Sequence, residues 1–100
     1  MDSEAIYKAL FKPIRRQILQ CLKDPEQHIP QDECVYDFSR GVCAGHIEKI
    51  ADVSQSTMSN HLSVLQQAGL IQVNKHGQWS YFSRNEALIQ DFLKHIQQSL

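Results

Sequence analysis

No apolar run in this sequence approaches the ~20 residues that a bilayer-crossing helix requires. The opening "MDSEAIYKAL" is acidic and lacks the basic-then-apolar order of a secretory leader, so a cytoplasmic location without membrane contact is expected. The three cysteines, Cys21, Cys34 and Cys43, form an odd set with no CxxC pair, which argues against a disulfide framework and for a reducing compartment. A Gly-rich phosphate loop, a serine elbow and a carboxylate pair in a shared motif are also missing, so an enzyme is not expected. Acid is scarce in one place above all. Between Val53 and Asn85 there is no Asp or Glu, and nine of the eleven acidic residues lie at or before Asp52. The net charge of −1 taken alone argues against a polyanionic partner, but its distribution argues the other way. The acid-free stretch holds Lys75 and Arg84, with His61 and His76 able to become cations.

One hundred residues, 42% of them hydrophobic, suit one small domain over 1–100 whose core is marginal enough to profit from a second subunit. Helical spacing appears first over 1–22. Ile6, Ala9 and Leu10 precede a break at Pro13, which itself suits the first turn of a second helix carrying Ile14, Ile18, Cys21 and Leu22. Cys21 lies on that apolar stripe and reads as a packed small hydrophobe. The 23–42 segment, "KDPEQHIPQDECVYDFSRGV", holds two prolines and five acidic residues and no sustained period, so it reads as a long loop insertion.

From 43 to 68 two helices are expected. Ala44, Ile47, Ile50 and Ala51 mark one, and Met58, Leu62, Leu65 and Gly69, widened by Val64 and Ala68, mark the core stripe of the next. The face opposite that stripe is Ser56, Asn60, Ser63 and Gln67, flanked by Gln55 and Ser59, with Ser54 placed as N-cap. A solvated helix face would ordinarily carry Glu, Lys and Arg. Hydroxyls and amides, which both donate and accept, suit phosphates and base edges instead. Two helices joined by a short turn, the second with a polar N-terminal face, make a helix-turn-helix. At 70–83, "LIQVNKHGQWSYF" alternates Ile71 and Val73, then Trp79 and Tyr81, about a turn at Gly77, which predicts a two-stranded hairpin with Lys75, His76 and Gln78 at its tip. The fold class is thus mainly α with a β-hairpin wing: a winged helix-turn-helix of about five helices. The 85–100 helix has apolar residues on too wide an arc for one face, namely Leu88, Ile89, Phe92, Leu93, Ile96 and Leu100. One side is expected on its own domain and the other on the same helix of a second copy, giving a homodimer through the terminal helices with Leu88, Ile89, Phe92, Leu93 and Ile96 at the interface.

The residues "SQSTMSNHLSVLQQAGLIQVNKHGQWSYF", with "LFKPIRRQIL" upstream, resemble the ArsR/SmtB family of bacterial winged-helix repressors over about two thirds of the chain. The resemblance implies a homodimer that binds a double-stranded, inverted-repeat DNA operator and releases it when an inducer binds. It implies DNA contacts by Ser54, Gln55, Ser56, Thr57, Ser59, Asn60 and His61 on the reading helix, and by Lys75, His76 and Gln78 at the wing. Metal-sensing members place Cys-x-Cys-Asp at the start of the preceding helix. This chain has "CAGHI" there, so Cys43 matches the first Cys while Gly45 and His46 stand at the second Cys and the acid. With Cys34 they form a candidate sensor set, Cys34, Cys43 and His46, for which three readings stay open: inert thiols, a thiol switch, or a site for a soft metal such as Zn, As or Cu. A small organic inducer is a fourth. The rival class of function is a winged helix that binds only protein, and it is disfavoured by the lack of aromatic or aliphatic anchors on the polar face.

Overall fold

In the computed structural model, which describes residues 1–28 and 41–100, the chain runs α1 (Ser3–Leu10), α2 (Pro13–Lys23), a single turn α3 (Pro25–His28), β1 (Val42–Cys43), α4 (Ala44–Ile47), α5 (Gln55–Gln67), β2 (Ile71–His76), β3 (Trp79–Arg84) and α6 (Glu86–Ser99). The five expected helices are present, and α3 adds a turn inside the segment read as loop. Cys34 lies outside the described residues. No described helix is long and apolar enough to cross a membrane.

Local chemistry explains the boundaries. Asp2, Ser54 and Asn85 accept from the backbone N–H three residues on, capping α1, α5 and α6. Pro13 opens α2 at its first position. Helix α4 is shorter than its apolar spacing predicts. After Ile47 the chain tightens into a 3-10 turn, Glu48–Ile50, and the Ile50 carbonyl is satisfied from outside by Gln17 Nε2 at 3.0 Å. Helix α5 ends at Gly69, whose φ of +85° only glycine adopts freely. There the Gly69 N–H donates to the Gln66 carbonyl and the Leu70 N–H to that of Leu65, while Leu65 and Leu70 are both buried. A Cβ at Gly69 would also lie 2.7 Å from Leu88 Cδ1, so the glycine lets α6 come close.

The wing differs from its prediction in two ways. It is three-stranded, in the order β1-β3-β2, because Val42 and Cys43 pair antiparallel with Phe82 and Tyr81. Its register also keeps Ile71 and Val73 inward on β2 but inverts the expected alternation on β3. Only Gly77 and Gln78 separate the paired His76 and Trp79, which sets Val73 opposite Phe82 and Asn74 opposite Tyr81. Directly opposed residues share a face, so Val73, Phe82 and Val42 point to the core, whereas Trp79 and Tyr81 stand on the outer face. Trp79 is accordingly 56% exposed.

One core joins all of this. Ile6 and Ala9 from α1, Ile18 and Cys21 from α2, Val42, Ile47, the α5 stripe Met58, Leu62 and Leu65, then Leu70, Ile71, Phe82 and Phe92 are all buried. The α5 stripe is the one its spacing predicts. Helix α6 departs from expectation at Phe92, which belongs to the protomer's own core and meets the edge of Tyr7 with ring centroids 5.5 Å apart. Leu88, Ile89 and Ile96 are partly buried against that core, and Leu93, at 51% exposure, points away from it.

Candidate nucleic-acid interface

Burying the α5 stripe turns its opposite side outward. Ser54, Gln55, Ser56, Thr57, Ser59 and Asn60 are all exposed, as is Ser63 one turn further on. They are not equivalent. Ser54 accepts from the Thr57 N–H at 3.2 Å, its hydroxyl also donates to Thr57 Oγ1 at 2.9 Å, and Ser56 Oγ lies 3.2 Å from it. Capping therefore engages three hydroxyls at the start of the helix and fixes where they sit. Gln55, Ser59 and Asn60 have no side-chain partner among the described residues and keep their full donor and acceptor capacity. The helix offers water a chargeless set of short polar groups, able to meet bases from a groove ~12 Å wide.

His61 is turned differently. It is half-buried on the flank of α5, and its Nδ1 accepts from Arg15 Nε of α2 at 3.1 Å. Burial, then the charges of Arg15 and Lys12, push its pKa below the ordinary 6.5. The ring is thus the neutral acceptor at pH 7. A lowered pKa means the native state favours the neutral form, so this contribution to stability is full above the ordinary value and is lost as pH falls through the lowered one. In a proton NMR titration the His61 ring should show its midpoint below 6.5, and Arg15→Ala should raise that midpoint. A midpoint indifferent to Arg15→Ala would dissolve the pairing in solution.

At the wing, Lys75, His76 and Gln78 are exposed around the Gly77 turn, where φ is +62°. Arg84 is basic by sequence but not available. Its Nε lies 2.9 Å from Glu86 Oε2, and Nη1 donates to the Leu19 carbonyl at 3.4 Å.

The sensor set is brought together in part. Cys43 Sγ lies 2.6 Å from His46 Nδ1, with both residues half-buried. Among the described residues no three His, Cys, Asp or Glu side chains converge on a point that would hold a metal. The pair alone falls short of a four-ligand zinc site. Cys43 also precedes α4 and stands opposite Tyr81 on the outer face of the wing sheet, joining the helix-turn-helix to the wing. Cys21 is different. It is 1% exposed, and burial pushes its thiol pKa up, which keeps it protonated and unreactive.

Spacing rules did not single out Arg15, because its partner is 46 residues away, or Tyr7 of α1 and Phe11 at its C-terminal cap, which are 39% and 77% exposed. The i, i+4 spacing of two aromatics beside the Ile6 and Ala9 stripe was the available signal.

The family model for bacterial regulatory proteins of the arsR family matches residues 12–73. YbzH of Bacillus subtilis strain 168, an uncharacterized HTH-type transcriptional regulator, is 38% identical over 97 residues, covering 94% of this chain and 97% of that protein. The transcriptional repressor SdpR of the same organism is 31% identical over 86 residues, 86% of this chain and 79% of that one. An ArsR-like transcriptional regulator from Rhodococcus sp. RHA1 superposes with a TM-score of 0.70 over 96% of this chain and 76% of its own, at 19% identity, a likeness of fold alone.

Proposed function

The chain belongs to the bacterial arsR family of DNA-binding transcriptional regulators, and from that premise we propose that it is a homodimeric repressor that reads an inverted repeat with α5 and is released by a signal entering at Cys43. The observation that carries the reading is the exposed, chargeless face of α5. Gln55, Ser56, Ser59 and Asn60 contact base edges, Ser54 and Thr57 set the helix start against the backbone, and Lys75, His76 and Gln78 reach the flanking duplex. His61 contributes through its flank rather than the centre of the face. The face has no apolar anchor of the kind a protein partner would need, which favours DNA over a purely protein-binding module. Nothing in this role asks the chain for catalysis.

A second copy covers Leu93 and, just past the end of α6, Leu100, together with Tyr7 of α1 and Phe11 just past its end, all exposed large hydrophobics on the two segments that Tyr7 and Phe92 bring together. Leu88, Ile89 and Ile96 border that surface, and Phe92 supports it from inside.

The thiol–imidazole contact supports Cys43 as the sensor, since it ties a half-buried thiol at the start of α4 to a side chain of that helix. Any group added to Cys43 must displace His46 or crowd Tyr81, and so disturb α4 and the wing together. Fluorescence anisotropy in a Cys34→Ser background tests both parts, using the DNA upstream of the protein's own gene against scrambled DNA, before and after iodoacetamide. Preference for the upstream DNA that alkylation abolishes, and that persists after alkylation in Cys43→Ser, is the expected result. Equal affinity for both duplexes would favour the protein-interaction module, and release of Cys43→Ser by the reagent would put the sensor elsewhere.

A further inference from the structure

A chargeless reading face leaves open where the phosphates are neutralised, since Lys and Arg supply most of the affinity for duplex DNA. With Arg84 held by Glu86, the acid-free stretch has Lys75 as its one permanent cation free of a carboxylate. The supply lies elsewhere in the fold. Four of the ten Lys and Arg residues, Lys8, Lys12, Arg15 and Arg16, fall within nine positions around the α1–α2 junction. Arg16 is spent on the Leu10 and Phe11 carbonyls. One of the others reaches the reading helix directly, and a second adjoins it. Arg15 Nε donates to His61, and the Arg15 backbone N–H donates to the Lys12 carbonyl at 3.1 Å, which sets Lys12 next to Arg15 at the start of α2.

The geometry of α5 says what they meet. His61 shares a stripe with Thr57 and lies about 100° round the helix from Asn60, at the border of the polar face. A helix with its side chains is ~10–12 Å across and fills a major groove ~12 Å wide, so groups on its flank face the phosphate strands that edge the groove. Lys12 is exposed and has no carboxylate partner among the described residues. Arg15 uses Nε on His61 and Nη1 on the Lys8 and Ala9 carbonyls, at 3.2 and 3.5 Å, which fixes the guanidinium plane and leaves the Nη2 hydrogens without a partner among the described residues. A fixed planar donor beside a mobile point charge suits a phosphate diester.

We propose that Lys12 and Arg15 form a phosphate-binding site on the flank of the reading helix, with the His61 ring holding the Arg15 guanidinium in place. The site rests on the DNA-binding reading and gives it a cation source independent of the wing. Arg15 is a positioned contact, and Lys12 a point charge that neutralises without specifying sequence.

Lys12→Gln tests this cleanly, because Lys12 makes no side-chain cap bond at the start of α2. Anisotropy with the upstream duplex and with a scrambled duplex, each from 50 to 300 mM KCl, gives the slope of log K against log salt. These concentrations are chosen roughly to span the range where counterion release is readily measured. Each lost phosphate contact should lower that slope by about 0.9, and so by about 1.8 for two equivalent sites in a dimer. Affinity for both duplexes should fall by the same factor, leaving their ratio unchanged. Arg15→Gln should lower the slope likewise, and if that variant folds poorly Lys12→Gln decides alone. A wild-type slope in Lys12→Gln, or a loss confined to the upstream duplex, overturns the site while leaving DNA binding intact. Wild-type protein that binds neither duplex overturns both.

Discussion

Asn60→Ala is expected to cut the preference for upstream over scrambled DNA by roughly five- to 150-fold per half-site, the 1–3 kcal/mol carried by one good base contact. Asn60 is exposed at the middle of the polar face, makes no side-chain bond in the free protein, and has both a donor and an acceptor to present to an adenine edge. Its removal costs the fold little, because alanine is a better helix former than asparagine and no buried group loses a partner. Affinity for scrambled DNA and the salt slope should therefore stay at wild-type values, the reverse of the pattern expected for Lys12→Gln. Ser56→Ala should have a smaller effect, since the Ser56 hydroxyl is shared with Ser54. Competition anisotropy with both duplexes measures the ratio directly. Unchanged discrimination in Asn60→Ala would mean that α5 lies against the duplex without reading it there.

What the sequence discloses follows the range of the interactions involved. The α5 stripe and its Ser54 cap are local, repeating every turn, and Met58, Leu62 and Leu65 are buried where the spacing puts them. The Gly69 ending is local too. The wing register is less so. Trp79 and Tyr81 look like core residues by composition, and only the two-residue turn at Gly77 and Gln78 shows that Val73 meets Phe82 instead. Strand β1 is two residues long and exists only because β3, some forty positions later, pairs with it. No periodicity could announce it. The same holds for the candidate site: the polar face is a pattern, whereas the Arg15–His61 bond, the loss of Arg84 to Glu86 and the closeness of Cys43 to Tyr81 are products of tertiary packing. The distribution of charge counted Arg84 as a free cation, although Glu86 holds it, and gave no sign that Arg15 reaches His61.

Leu93→Glu should convert the protein to a monomer, with a light-scattering mass near the 11.5 kDa of one chain instead of twice that. Leu93 is half-exposed on α6 and contributes little to its own core, so a carboxylate there is solvated in the single chain. In an isologous contact the same position recurs on both subunits, and the substitution places two desolvated negative charges in one apolar interface. The consequence for DNA is larger than for the fold. In a dimer, binding of one reading helix presents the second at millimolar effective concentration, which raises affinity by roughly 10²–10⁴-fold without a new contact. The monomer should lose that factor on an inverted repeat while retaining single half-site affinity and the Lys12-dependent salt slope per domain. Phe92, one position away, gives no such separation. It is buried against Tyr7, and truncating it would strike the core before the interface. A Leu93→Glu protein that remains dimeric would move the contact off the exposed side of α6, toward Tyr7 and Phe11 alone, and the two half-sites would then sit at a different spacing on the duplex.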